Sequence, residues 1–240
     1  MRIYLDLDFE KLELPIHYNH ILQSIIINMI DSSGYRKFIH DEGYVLGKRK
    51  FKLYTFSRLL GKFQIFGNKI AFFNGARLII SSLDDAMVEY IINYILKKGY
   101  INVLGEKIYV KAAVLKSLPS TNYLRVSTKS PVVVYSTLFN YENKKETIFY
   151  EPDSSKFLSL VYENILKKYT AFYGSISKNN IEIKHVGKNP KRVKVVYKNT
   201  VIFGWLTAFD IYGDFELLKV AYDAGIGMKN SMGFGCVELI

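Results

Sequence analysis

The chain lacks the residues on which several classes of protein depend. Its one cysteine, Cys236, excludes an internal disulfide and any cysteine-based zinc cage. No apolar run reaches the length of a transmembrane helix, and the charged, strand-like residues 1–6 do not resemble a signal peptide. The expected compartment is therefore the cytoplasm, with no membrane partner.

Sequence motifs for metal and nucleotide chemistry are also missing. His17 and His20 lie three residues apart at a predicted helix start, but no carboxylate completes a ligand set around them. There is no nucleophile elbow and no Walker phosphate loop. The glycine-rich run near the C-terminus follows a predicted helix and precedes a strand, which is the reverse of a dinucleotide-binding loop. We expect no metal and no cofactor.

Basic residues are abundant. The 240 residues include 33 lysines and arginines against 22 acidic residues, a formal net charge of +11. Such an excess favours polyanions, either nucleic acid or an acidic membrane surface. Both halves of the chain are basic, and the cations cluster in two segments, which favours nucleic acid over solvated lysine-rich loops. The candidate contacts are Lys48, Lys50, Lys188, Lys191 and Arg192.

Hydrophobic periodicity predicts the same order of elements twice. Residues 1–9 alternate as a half-buried strand, and helical spacing marks residues 15–29, 83–98, 153–169 and 214–224. Ser82 is the predicted N-cap of the second helix, Gly99 its C-cap and Asp214 the N-cap of the last. Strands are predicted at 52–60, 76–81, 100–104, 107–114, 123–126, 132–135, 181–186, 192–197, 201–211 and 236–240, with turns at Gly61 and at 67–68.

This order predicts an α+β fold of two tandem ferredoxin-like βαββαβ domains. Residues 116–120, which include Pro119, are the predicted linker. The N-terminal domain would then span residues 1–116, and the C-terminal domain, with the glycine-rich run, residues 121–240. The two halves share a pattern and no sequence identity.

The glycine-rich run, residues 225–235, contains four glycines in eleven residues. Glycine allows a sharp bend or a close approach of the backbone to another group. Lys229, Asn230 and Ser231 lie between the glycines and suit a phosphate backbone. A tight connection between a helix and a strand, without any ligand, explains the same residues equally well.

His40 is the strongest candidate for chemistry. It follows a predicted short helix at residues 35–39 and precedes a loop, and Lys48, Lys50 and Lys52 come soon after. Histidine transfers protons near neutral pH, and a lysine neutralises charge that builds on a phosphate. This pairing suits RNA cleavage without a metal, in which the ribose 2′-hydroxyl attacks the adjacent phosphorus. A loop histidine with no function is the alternative.

Three segments resemble one family. Residues 216–235 resemble the C-terminal signature of the CRISPR repeat-processing endoribonucleases, which belong to the repeat-associated mysterious protein superfamily. Residues 14–23 are similar to that family's first helix, and residues 52–57 to its second strand. The resemblance covers essentially the whole chain in the same order of elements.

The resemblance implies two ferredoxin-like domains and cleavage of CRISPR precursor RNA within its repeats to release guide RNAs. It implies no metal, and products with a 5′-hydroxyl and a 2′,3′-cyclic phosphate. His40 matches the family's catalytic histidine and Lys52 a lysine that supports the scissile phosphate. A tyrosine that some members carry on the first helix is Ile27 here. Either His40 acts with Lys52 alone, or a loop tyrosine such as Tyr44 substitutes.

Two functions remain from the sequence. The first is the endoribonuclease, which acts on CRISPR repeat RNA as a monomer or homodimer. The second is a non-catalytic RNA-binding subunit of a CRISPR effector complex. The presence of His40 and Lys52 favours the first, and Ile27 keeps the second open.

Overall fold

A computed structural model describes residues 1–139, 141–177 and 180–240, in which the chain forms two α+β units. The first unit contains the strands β1 (Arg2–Asp8), β2 (Lys11–Pro15), β3 (Tyr44–Leu46), β4 (Arg49–Phe51), β5 (Tyr54–Phe56), β6 (Leu60–Phe66), β7 (Lys69–Ser82), β8 (Tyr100–Val103) and β9 (Glu106–Lys116). Its helical elements are α1 (Asn19–Asn28), α2 (Ser33–Lys37), a π-helical turn (Phe38–Glu42) and α3 (Asp85–Lys98).

The first unit is built on an antiparallel sheet in the order β2-β7-β1-β9-β8, with β5 and β6 also paired to β7. Alternation along β1 sends Ile3, Leu5 and Leu7 into a core that they share with α1 and α3. On the other face, Tyr4 packs against Cys236 from the far end of the chain. Both faces of the central strand are therefore covered.

The second unit repeats this plan. Its strands are β10 (Tyr123–Thr128), β11 (Tyr135–Phe139), β12 (Lys145–Phe149), β13 (Ile181–His185), β14 (Lys191–Tyr197), β15 (Thr200–Leu206), β16 (Ala208–Gly213) and β17 (Val237–Leu239). Its helices are α4 (Ser155–Tyr173) and α5 (Phe215–Asp223), and a 3₁₀ turn spans Asn230–Met232. The main sheet has the order β13-β16-β10-β17, while β11-β12 and β14-β15 form separate hairpins.

Both units are ferredoxin-like. In the first, β1, α1, β5, β7, α3 and β9 follow in βαββαβ order, and the sheet places the fourth strand beside the first and the third beside the second. In the second, β10, α4, β13, β16, α5 and β17 do the same. The predicted fold class is confirmed. The strands of the main sheets lie before residue 117 and after residue 122, and we propose the domain boundary in that interval.

The two units meet through a buried arginine. Arg2 is fully buried and donates hydrogen bonds to the carbonyl oxygens of Tyr222 and Val237, each at 2.7 Å. Its guanidinium also lies 3.3 Å from the centre of the Tyr222 ring. Leu53 and Leu83, from the first unit, pack into the core of the second. The interface therefore combines apolar packing with directional bonds.

Several helix limits differ from the sequence prediction. Pro15 ends β2 instead of opening a helix, and the helix starts at Asn19. Strand β2 lies at a sheet edge, where proline is tolerated. The N-cap of α3 is Asp84, whose carboxylate accepts from the Ala86 N–H at 3.1 Å, because Ser82 still belongs to β7. Gly99 caps the C-terminus in the left-handed conformation, as predicted.

Several strand limits also differ. The predicted strand 52–60 is broken between β5 and β6, and 201–211 divides at Thr207 into strands of two different sheets. Helix α4 starts at Ser155 and continues to Tyr173, and the last strand is only Val237–Leu239. The side chain of Asp214 makes no capping bond to α5. Strand β2 and the hairpins β3–β4 and β11–β12 were not predicted.

None of the helices in the described ranges is long and apolar enough to span a membrane.

Candidate functional site

His40 lies on the π-helical turn that follows α2. Ser32 caps α2 by accepting a hydrogen bond from the Tyr35 N–H at 3.2 Å. The helix then widens into the turn, which ends where Gly43 donates to the Phe38 carbonyl at 2.7 Å. The side chain of His40 is 71% exposed. Single π turns occur frequently at functional sites, and this one presents an imidazole to solvent.

The imidazole of His40 has one hydrogen-bond partner among the described residues. Its Nδ1 lies 2.6 Å from a carboxylate oxygen of Asp41. When Nδ1 donates to that oxygen, Nε2 of the neutral ring is the proton acceptor. The hydrogen bond from His40 lowers the pKa of the Asp41 carboxyl. The carbonyl of Asp41 accepts from Lys50 Nζ at 3.2 Å, so the histidine turn is tied to the β3–β4 hairpin.

Lys52 follows that hairpin, and its side chain lies against Gly43. A Cβ atom at Gly43 would lie 3.0 Å from Lys52 Cδ and 2.5 Å from the Phe51 carbonyl oxygen, so glycine is required there. Lys52 Nζ is buried and has no hydrogen-bond partner in the part of the chain that the structure describes. Burial lowers the pKa of this amine, and Lys50 lowers it further. An unpaired buried amine is costly, which indicates a place for an oxygen-rich ligand.

Tyr44 is engaged elsewhere. Its hydroxyl donates to Oδ2 of Asp84 at 2.5 Å, and the Tyr35 hydroxyl donates to the same oxygen at 2.6 Å. Burial raises the pKa of both phenols, and the bonds to Asp84 raise it further. The Tyr44 ring packs edge-on against Phe38, at the start of the histidine turn. These contacts hold the turn in place, and they do not favour a role for Tyr44 in proton transfer.

A cleft of about 720 Å³ separates the segment from β4 to β5 from the second unit. The second unit contributes β11, α4 and the glycine-rich loop to its walls. Among the described residues, the lining includes one carboxylate, Glu163, which pairs with Lys167 at 2.7 Å. The basic residues that line it are Arg49, Lys50, Lys52, Lys167, Lys168 and Lys229. The cleft is therefore strongly positive, and His40 lies beside it through Asp41 and Lys50.

The glycine-rich loop contributes one cation to this cleft. The Nζ of Lys229 lies 5.0 Å from the centre of the Tyr135 ring, at the cleft wall. Asn230 instead donates from its side-chain nitrogen to the carbonyls of Ile226 and Phe234, at 3.1 and 3.0 Å, and so closes the loop on itself. The carbonyl of Ser231 accepts from Gln23 of α1 at 2.8 Å.

The glycines of the loop serve its packing. Gly233 has φ +82°, and a Cβ there would lie 2.5 Å from the Phe56 ring and 2.9 Å from Asn19 Nδ2. Asn19 donates to the carbonyls of Met232 and Gly233 at 3.0 and 3.1 Å. The close approach of the backbone is thus to the first unit of the same chain.

A second basic surface lies on the β14–β15 hairpin. Lys191 and Arg192 are exposed there, outside the cleft, and Lys188 is exposed in the segment before β14. The Arg192 guanidinium lies 4.1 Å from the centre of the Phe203 ring. The turn of the β3–β4 hairpin carries Lys48, which is also exposed. The predicted RNA contacts are therefore divided between the cleft and two hairpins.

The sequence analysis missed two buried polar residues of the cleft. Asn164 and Lys168 lie one turn apart on the buried face of α4. Lys168 Nζ donates to the carbonyls of Gly225 and Gly227 at 2.6 and 3.2 Å, and burial lowers its pKa to about 7. The signal that could have revealed them is their position among Val161 and Ile165 on an otherwise apolar stripe.

Two ferredoxin-like units with a basic cleft between them define a class of RNA-binding fold. Two family models match consecutive parts of the chain. The model for the N-terminal part of CRISPR-associated protein Cas6 matches residues 13–114, and the model for its C-terminal part matches residues 113–239. The chain belongs to the Cas6 family.

Curated relatives match over nearly the whole chain. A protein of Methanocaldococcus jannaschii named CRISPR-associated endoribonuclease Cas6 1 is 32% identical over 99% of this chain and 92% of its own length. The CRISPR-associated endoribonuclease Cas6 of Pyrococcus furiosus is 26% identical over 95% of this chain and 84% of its own.

Solved structures agree with the fold. One described as CRISPR associated protein Cas6 has a TM-score of 0.81 at 28% identity and covers 100% of this chain and 99% of its own. A Cas6-related protein from Pyrococcus furiosus has a TM-score of 0.84 at 26% identity, with 100% and 98% coverage. A third, described as a RAMP protein binding different RNA substrates, has a TM-score of 0.81 at 24% identity and covers 100% of this chain and 99% of its own.

Proposed function

We propose that this protein is an endoribonuclease that binds CRISPR repeat RNA and cuts CRISPR precursor RNA within the repeats to release guide RNAs. The observation that carries the proposal is the exposed His40 beside a positive cleft, in which Lys52 Nζ has no partner within the described ranges. The names of the Methanocaldococcus and Pyrococcus relatives support it.

The proposed reaction needs no metal or cofactor. The 2′-oxygen bonds to the adjacent phosphorus while the bond from phosphorus to the 5′-oxygen breaks, which leaves a 2′,3′-cyclic phosphate and a 5′-hydroxyl. Nε2 of His40 accepts the 2′-hydroxyl proton, because Asp41 holds Nδ1. Lys52 neutralises the phosphate oxygens. Its lowered pKa also makes its ammonium group a better proton donor to the departing 5′-oxygen.

RNA binding is proposed for both basic surfaces. Lys50 and Lys229 line the cleft, and Lys48 lies on the adjoining turn. Lys191 and Arg192 extend the positive surface to the β14–β15 hairpin. A strand of RNA long enough to contact both surfaces has several phosphates neutralised at once. Action as a monomer or homodimer, a cytoplasmic location and membership of an effector complex stay predictions.

The test compares wild-type protein with His40→Ala on labelled repeat RNA in EDTA. Wild type is expected to cleave, and the variant to lose on the order of 10²–10⁴ in single-turnover rate with near-normal RNA affinity. Products are identified by their ends, as a 5′-hydroxyl and a 2′,3′-cyclic phosphate. Tight binding of wild type without cleavage would overturn the proposal in favour of a non-catalytic RNA-binding subunit. A normal rate in His40→Ala would remove His40 from the mechanism.

A further inference from the structure

Asn164 lines the cleft and carries a buried hydrogen-bond acceptor that is not used by the described residues. The residue is only 6% exposed, and Oδ1 has no hydrogen-bond partner among the described residues. The residue lines the same cleft as Lys52, whose Nζ is the other buried polar atom there without a partner among the described residues. A buried acceptor without a partner destabilises the free protein. It therefore indicates a group that arrives from outside.

Neighbouring side chains do not supply that group. Lys168, one turn along the same face of α4, gives its amine to the carbonyls of Gly225 and Gly227. Lys167 is paired with Glu163 at 2.7 Å. The two lysines next to Asn164 on the helix are thus paired elsewhere, and Oδ1 is left buried without a partner among the described residues.

The walls of the cleft suit a planar ring. Phe51 and Tyr135 line it, and Tyr135 is half-buried with the Lys229 amine over its face. Its volume of about 720 Å³ is within the range of pockets that enclose a small ligand. Proteins that recognise single-stranded RNA stack unpaired bases on such rings and bond the base edges.

We propose that Asn164 reads one unstacked base of the RNA, with Oδ1 accepting a hydrogen bond from an N–H of the base edge. This rests on the proposed function, in which Lys52 contacts the scissile phosphate. Because Lys52 and Asn164 line one cleft, the base belongs to a nucleotide next to the cut. Asn164 is then a specificity-determining residue, and the cations at the rim hold the phosphates on either side.

A ribose 2′-hydroxyl also donates a hydrogen bond, and the experiment separates the two. Repeat RNA made uncleavable by a 2′-deoxy group at the cut is prepared with a single abasic site at each position in turn. A second series carries single 2′-deoxy substitutions. Affinities are measured for wild type, for Asn164→Leu and for Thr137→Val. Thr137 is a matched control because it is a polar residue that lines the same cleft but is exposed.

At one position next to the cut, the abasic site is expected to weaken wild-type binding roughly tenfold, which is the scale of one stacked and bonded base. Asn164→Leu should weaken binding of intact RNA several-fold, and should add nothing on that abasic RNA. The affinity loss caused by Thr137→Val should instead multiply with the loss caused by the abasic site. The melting temperature of free Asn164→Leu should not fall, because a buried unpaired acceptor has been removed. Asn164→Ala replaces it if the leucine variant does not fold.

The proposal is wrong if the affinity loss caused by Asn164→Leu multiplies with the loss caused by the abasic site at every position. Coupling of Asn164 to a 2′-deoxy site instead of an abasic one would assign the acceptor to ribose and also overturn it. The binding assay does not depend on cleavage. Coupling in a protein that never cuts RNA would refute the endoribonuclease and keep the base site, while cleavage without coupling would refute only the base site.

Discussion

Replacement of Gly233 by alanine tests whether the glycine-rich loop packs against the first unit or contacts RNA. The residue has φ +82°, a conformation that costs an L-residue about 1–2 kcal/mol. Its new Cβ would also lie 2.5 Å from Cε2 of Phe56 and 2.9 Å from Nδ2 of Asn19, so these side chains must shift. Overpacking of this kind costs about 1–3 kcal/mol. Together the two effects predict a loss of about 2–5 kcal/mol in the free energy of unfolding.

Gly67→Ala is the matched control. Gly67 has φ +57° in the turn between β6 and β7, and its Cβ would meet nothing within 4 Å. This variant carries only the conformational cost, about 1–2 kcal/mol. The difference between the two variants, about 1–3 kcal/mol, isolates the packing of the loop against the first unit.

The measurement is urea denaturation of both variants, with RNA affinity determined well below their melting temperatures. Gly233→Ala should be the less stable variant, and its RNA affinity while folded should stay close to wild type. Equal stability of the two variants would show that the loop does not pack as described. A large loss of RNA affinity in a fully folded Gly233→Ala protein would show that Gly233 belongs to the RNA-binding surface.

Three further perturbations test other parts of the site. Burial lowers the pKa of Lys168 in the folded protein to about 7, below the ordinary 10.5. Between these two pH values the unfolded chain binds more protons than the folded protein, so the stability of the protein rises with pH. In urea denaturation at several pH values, the stability of wild type relative to Lys168→Met should increase from about pH 7 to about pH 9, by at most about 1.4 kcal/mol per pH unit; a flat difference contradicts this. Tyr44→Phe removes a bond to Asp84 and should cost about 1–2 kcal/mol of stability by urea denaturation without slowing cleavage of bound RNA. A rate loss of about 100-fold would instead make Tyr44 a proton-transfer group. Charge reversal at Lys191 and Arg192 should weaken RNA binding and flatten its dependence on salt, as measured by titration at several ionic strengths, with little effect on the rate of the bound complex.

Local patterns predicted the fold because the short-range signals and the packing agree. The apolar face of α3, the glycine at its end and the alternation along β1 all depend on residues close in sequence. The limits of β2 and the division at Thr207 depend on which sheet each strand joins, and these are long-range choices. The β3–β4 hairpin was missed since its residues are largely exposed and carry little hydrophobic periodicity.

The sequence predicts the site only where the type of a residue is enough to indicate its chemistry. His40 and Lys52 were chosen by their chemistry and by a family resemblance, and the structure brings their segments together at Gly43. The π turn depends on contacts around Phe38 that no local pattern specifies. Asn230 looked like a phosphate ligand, whereas its amide nitrogen is used to close its own loop.

The cleft exists only because the two units are held at one orientation. Lys52 comes from the first unit and Asn164 from the second, so any rotation between the units changes the distance between a catalytic candidate and a base-reading candidate. Arg2 resists such a rotation, because its bonds to Tyr222 and Val237 are directional and buried where water cannot replace them. The glycine-rich loop adds a second attachment between the units, through the bonds of Asn19 to Met232 and Gly233. These contacts fix the geometry of the cleft in the folded protein, and the proposed reading of one base by Asn164 depends on that geometry.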